Sequence, residues 1–149
     1  MPSRRAELSR LPPETARLAV PVGRRAPASG VTGARLRLVL ETEPGEVPWR
    51  PRLGVELGDL VGRPATQEAL RQAERAVRAA VERWMPGVQV REVRARAVST
   101  LGTLEGGDRR DLPVAEAALT PLGASCSLAL DLELSTPEGP LTLSASLAP

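Results

Sequence analysis

Three stretches of the chain carry a clear apolar period, and each period names an element. Between Thr66 and Met85, Leu70, Ala73, Val77, Ala80, Val81 and Trp84 recur at the spacing of a single helical stripe. Arg71, Gln72, Glu74, Arg75, Arg78, Glu82 and Arg83 are left for the opposite side. Thr66 is suited to cap the first turn, where Glu68 meets the positive end of the helix, and Pro86-Gly87 closes the last one. Near the C-terminus the period changes to two. Leu128, Leu130, Leu132 and Leu134 alternate with Ala129, Asp131 and Glu133, and Leu141, Leu143, Ala145 and Leu147 alternate with Thr142, Ser144 and Ser146. Both read as half-buried strands, joined through Ser135-Thr-Pro-Glu-Gly-Pro140 into an antiparallel hairpin. Val88, Val90, Val93, Ala95 and Ala97 make a third strand. Its phase slips after Val90, which puts a bulge at Arg91 or Glu92.

Val31–Thr42 fits two templates. Ala34, Leu36, Leu38 and Leu40 alternate as in a strand, whereas Val31, Ala34, Leu38 and Val39 suit a helical stripe, and the Ala/Leu/Arg content leans helical. Thr42-Glu-Pro-Gly45 ends the element, because a residue before proline avoids the α region and glycine accepts positive φ. Residues 1–30, with five prolines and clustered arginines, read as an N-terminal arm in which Leu18–Val22 adds at most an edge strand. Residues 99–125 read as a long Gly/Pro-containing loop with a short helix at Val114–Leu119. Residues 31–149 then form one α+β domain: a small antiparallel sheet with a C-terminal hairpin and helices packed on one face.

Composition narrows the chemistry. A length of 149 residues suits one domain. No apolar run approaches membrane-span length, so insertion into a bilayer is not expected, and Glu14, Arg17 and prolines break Leu8–Val22 too often for a secretory leader. Phe, Tyr, Ile, Asn, Lys and His are all absent, a bias that follows GC-rich coding better than function. Without histidine, a Ser-His-Asp triad, a Cys-His pair and a histidine metal site are excluded. Cys126 is the sole cysteine and suits a core position better than a nucleophile. Glu41, Glu43 and Glu46 suggest a glycosidase pair, but nothing in their spacing sets two carboxylates across a cleft. Gly106-Gly107 lacks the Gly-Lys-Ser/Thr ending of a phosphate loop. No catalytic residue, cofactor or metal is expected.

Charge is placed unevenly: residues 1–40 hold eight Arg against Glu7 and Glu14, and residues 111–149 hold five acids and no Arg. Solvated faces of opposite sign and docking faces for different partners both fit. A nucleic-acid surface does not, because no aromatic residues interleave with the basic ones for base stacking.

Three short motifs remain: Leu40-Glu-Thr-Glu-Pro44-Gly45-Glu46-Val47, Pro51-Arg-Leu53-Gly54 and Trp84-Met85-Pro86-Gly87. In order and spacing they resemble the Leu-x-Thr-x-Pro-Gly-Glu-Arg, Pro-x-Phe-Gly and Trp-Glu-Pro-Arg stretches of the GPW-like baseplate wedge family, the sheath initiators of contractile phage tails and related injection systems. Val47, Leu53, Met85 and Gly87 depart from that pattern, the last two removing an acid and a base. The resemblance implies a helix before Pro44 and a non-enzymatic structural role in a baseplate. It also implies assembly in the bacterial cytoplasm and several copies in a symmetric particle. The implied partners are baseplate wedge proteins, hub or spike proteins, and a sheath protein that adds a strand to the sheet. The candidate protein-binding residues are Pro44, Gly45, Glu46, Trp84, Met85, Pro86 and Gly87 for docking, with Leu141, Thr142, Leu143, Ser144 and Ala145 as the strand-accepting edge. Turn chemistry alone also explains much of Pro44-Gly45-Glu46, and Trp84 is equally suited to closing its own core. Two further readings carry different partners: an anti-adaptor that shares the fold and binds a response-regulator-like protein, and a cell-wall glycosidase, since relatives have been labelled lysozyme-like.

Overall fold

The computed structural model describes residues 18–19, 31–99, 111–122 and 126–147. Its elements are β1 (Leu18–Ala19), α1 (Val31–Glu41), a 3-10 turn at Gly58–Leu60, α2 (Gln67–Trp84), β2 (Gln89–Ser99), α3 (Val114–Ala117), β3 (Cys126–Thr136) and β4 (Gly139–Leu147). The sheet runs β1-β4-β3-β2, with every neighbouring pair antiparallel. The architecture is α+β, as the periods predict.

β3 and β4 place their leucines as the alternation requires. Leu128, Leu130, Leu132 and Leu134 are fully buried, and Leu141, Leu143, Ala145 and Leu147 join them on the same face. Burying one such leucine contributes roughly 1.5–3 kcal/mol, so this row is the main support of the domain. The hairpin closes through a two-residue turn in which Gly139 has φ +126° and Thr136 Oγ1 donates to Gly139 O at 2.8 Å. The register of β2 shifts between Val90 and Glu92, where the slip in period puts the bulge.

α2 keeps the predicted length and cap: the Thr66 side chain accepts from Ala69 N–H at 3.2 Å. Its stripe is turned slightly from the expected one. Ala69, Ala73, Val77, Ala80 and Val81 are buried, while Leu70 and Trp84 are half-buried beside them. Glu74 and Arg78 are not on a solvated back face. Glu74 Oε1 accepts from Ala95 N–H at 2.9 Å and Arg78 donates to Val90 O at 3.3 Å, so α2 covers the outer edge of β2. Leu112 N–H completes that cover by donating to Ala97 O at 2.9 Å.

α1 is the helix that propensity favours, but it buries a different face. Gly33, Leu36, Val39 and Leu40 point inward, so of the expected stripe Val39 is buried while Val31, Ala34 and Leu38 point to solvent. The buried face, carrying Leu36 and Leu40, joins the common core, and the helix packs beside α2 and β1. α3 confirms the short helix at Val114, held by Ala117 N–H to Pro113 O at 2.8 Å. The rest of the expected loop, residues 100–110 and 123–125, lies outside the described residues, as does the arm apart from Leu18–Ala19.

Candidate protein-docking surfaces

The first two motifs interlock. Thr42 ends α1 with its own N–H and hydroxyl both donating to Leu38 O. Its carbonyl then accepts from Val55 N–H at 3.2 Å. Gly54 packs so closely on this carbonyl that a Cβ there would stand 2.2 Å from Thr42 O, and its φ of +120° suits glycine alone. Gly45, at φ +91°, donates to Pro51 O at 2.8 Å. The Glu46 carboxylate accepts from Glu43 N–H at 3.1 Å, and Glu41 pairs with Arg37 at 2.9 Å. Glu41 and Glu46, both weighed for sugar chemistry, are thus engaged in local structure, and Glu43 is not free either. Leu53 is buried, so the apolar replacement fills a core site.

The third motif meets this knot across an open groove of about 790 Å³. Pro44 and Pro51 form one wall, Ala76, Ala80 and Trp84 of α2 the other, with Arg52, Arg75 and Arg83 facing Glu56 and Asp59 around it. The Arg83 guanidinium stands 5.4 Å from the Trp84 ring centre, which orients an indole whose other part packs on the core. Met85 is a correction to the candidate set. It is 7% exposed and turns its side chain into the core, so it offers a partner nothing. Its N–H donates to Val81 O and its carbonyl accepts from Val88 N–H, closing α2 and leaving Pro86 and Gly87 as an exposed turn. Trp49, at 81% exposed, is an apolar surface residue that no period pointed to, because it lies in a turn.

Thr142 and Ser144 present the second surface. Ala95 N–H and Ala97 C=O bond outward to Glu74 and Leu112, so both residues turn their main-chain groups away from β3. In an antiparallel ladder the residues alternate in which neighbour they address. Leu130, opposite Ala95, therefore addresses β4, where it meets Ala145. Leu141, Leu143 and Ala145 bond back to β3, while Thr142, Ser144 and Ser146 direct their N–H and C=O groups off the sheet. Ser146 stands opposite Ala19 of β1. Thr142 and Ser144 have no strand partner on that side among the described residues. The edge is thus narrower than the alternation alone suggests: β1 covers one end, and among the described residues two of the five candidates, Thr142 and Ser144, have outward main-chain groups with no strand partner. The Ser144 hydroxyl donates to Asp131 at 2.8 Å, and Asp131 also accepts from Arg96.

Residues 33–106, which hold all three motifs, match the family model described as Baseplate wedge protein gp25. The chain belongs to the GPW-like baseplate wedge family. This is a family of structural baseplate proteins, found in phage tails, whose members contact other baseplate components. The fold is similar to the crystal structure of a Geobacter sulfurreducens protein described as a candidate tail lysozyme. The TM-score is 0.53 at 20% identity, over 77% of this chain and 85% of that one. No curated protein sequence matches the chain. Among the described residues no helix is long and apolar enough to cross a membrane.

The wedge motifs are thereby given a physical basis. Proline, glycine and threonine recur in them because two turns and a helix end must approach at backbone distance. The sequence marks Gly54 only by its place in Pro51-Arg-Leu-Gly; that it packs on Thr42 comes from the fold.

Proposed function

We propose that this wedge protein initiates sheath assembly in a bacterial contractile injection system or phage tail, by accepting a strand on β4 while its motif groove docks on neighbouring wedge proteins. The observation that carries the reading is the outward N–H and C=O pairs of Thr142 and Ser144. Open edges in natural sheets are commonly blocked. Here α2 and Leu112 cover the β2 edge, whereas no described residue pairs with the middle of β4. A strand paired there adds about four main-chain hydrogen bonds, each contributing about 0.5–1.5 kcal/mol net. The groove supports docking on wedge and hub or spike proteins, with Trp84 and Pro44 as apolar anchors inside a ring of charge. Aromatic anchors in such rings commonly dominate interface energies.

Ser144→Pro tests the reading. It removes one outward N–H and places a ring on the edge, while the core row on the other face is untouched. Ser144→Ala, which loses only the bond to Asp131, is the control. The proline variant should fold and yield baseplates or tubes without sheath, and the alanine variant should assemble normally. Normal sheathed particles from a folded Ser144→Pro chain would overturn strand addition.

A further inference from the structure

The solvent face beside the middle of β4 carries charged side chains from β2 and β3. On the solvent face, Glu92, Glu133 and Thr142 form one row across β2, β3 and β4. Arg94 is committed to Glu92 at 2.7 Å, and Arg96 to Asp131 at 3.1 Å and Asp111 at 2.7 Å. Glu133 makes no side-chain hydrogen bond or close ion pair among the described residues, and Arg94, held by Glu92, acts on its charge only from a distance. It also stands directly opposite Glu92, and like charges at that position disfavour each other. Beside it, at the hairpin end of the sheet, lies a hollow of about 410 Å³ that runs from Arg91 of β2 past Glu133 to Pro140 and Thr142 of β4. Thr142 is the last residue of the row before the edge, and its side chain is short.

We infer that the strand accepted by this edge is an extended peptide segment with a cationic side chain beside Thr142, whose head group occupies the hollow against Glu133. A residue added opposite Thr142 lies two strand spacings, roughly 10 Å, from Glu133. An arginine or lysine stem spans that distance above threonine, and a smaller or acidic side chain does not make the contact. The protein's own arm is a poor substitute. Continuing the register of Leu18 opposite Leu147 and Ala19 opposite Ser146 would set Pro21 against Ser144 and Gly23 against Thr142. Proline has no N–H for the ladder, and glycine has no side chain to reach Glu133. A segment with a full set of N–H donors and a cationic side chain suits this register better than that stretch of sequence does. This inference rests on the strand-addition reading above.

The test uses the full chain, ¹⁵N-labelled, and two capped synthetic peptides of alternating valine and threonine that differ only in a central arginine or glutamate. Amide shifts and hydrogen exchange at Thr142 and Ser144 report pairing. The arginine peptide should bind about fivefold tighter than the glutamate peptide, the scale of one cross-strand charge pair. Glu133→Gln should level the two, and Glu133→Arg should invert their order. Equal affinities, with both peptides slowing exchange at Thr142 and Ser144, would overturn the charge preference and leave strand addition standing. Failure of both peptides to slow exchange there would overturn both.

Discussion

Replacing Gly54 by alanine is the sharpest probe of the motif knot. The new methyl group would stand 2.2 Å from Thr42 O and 2.7 Å from Thr42 C, both main-chain atoms that no rotamer change can move. The backbone must also hold φ +120° with a side chain present, which costs about 1–3 kcal/mol. Relieving the overlap requires separating Thr42 from the 53–55 segment and breaking the Val55 N–H to Thr42 O bond of 3.2 Å. Thr42 and Val55 are buried, and polar groups left unpaired in such a place cost about 1–3 kcal/mol. Together the loss is about 3–5 kcal/mol, a large share of the roughly 5–15 kcal/mol that holds a domain. For this chain length that lowers the melting temperature by about 10–15 °C. Gly45→Ala is the matched control. Gly45 shares the positive φ, at +91°, but has nothing within 4 Å of a Cβ, so only strain of about 1–2 kcal/mol applies. Urea unfolding of both variants, followed by circular dichroism, isolates the close approach. Equal destabilisation by the two substitutions would refute the interlock of the motifs.

Two further outcomes follow from burial. Trp84→Ala should cost about 2–3 kcal/mol, below the about 3–5 kcal/mol of a fully buried aromatic, because the indole is half-buried and partly lines the groove. Trp49→Ala should stay within about 0.5 kcal/mol, as surface changes do; chemical denaturation that ranks the two alike would contradict their placement. Burial pushes the Cys126 thiol above its ordinary value of 9.0, although a hydrogen bond from the Val98 backbone opposes the shift. The unfolded chain therefore ionises first. Stability linked to the neutral thiol is present below about pH 9 and lost as pH climbs through the folded-state value. Cys126→Ala should remove that part of the alkaline decline in urea midpoint, and an unchanged decline would exclude the thiol as its source.

Local physics alone determined most of the elements. The cap at Thr66, the stripe from Ala73 to Val81, the two leucine strands, the Pro137-Glu138 turn and the slip at Arg91 each depend on neighbours within one helical turn or one hairpin. Such signals survive in a single sequence, and so did the wedge motifs, whose residue types are set by turn geometry. Tertiary structure decided what local periods leave open. α1 offers apolar residues on both sides, and only its packing into the common core beside α2 selects Leu36 and Leu40 over Val31 and Leu38. Glu74 looks like any solvated helix residue until the unpaired Ala95 N–H of β2 comes alongside. Met85 occupies a surface-reading motif position, yet the end of α2 turns it into the core. Alternation identified β4 as half-buried but not which of its main-chain groups are free. That depends on the order β1-β4-β3-β2 and on the two residues of β1 that cover Ser146 and Leu147, contacts made across more than a hundred residues of chain.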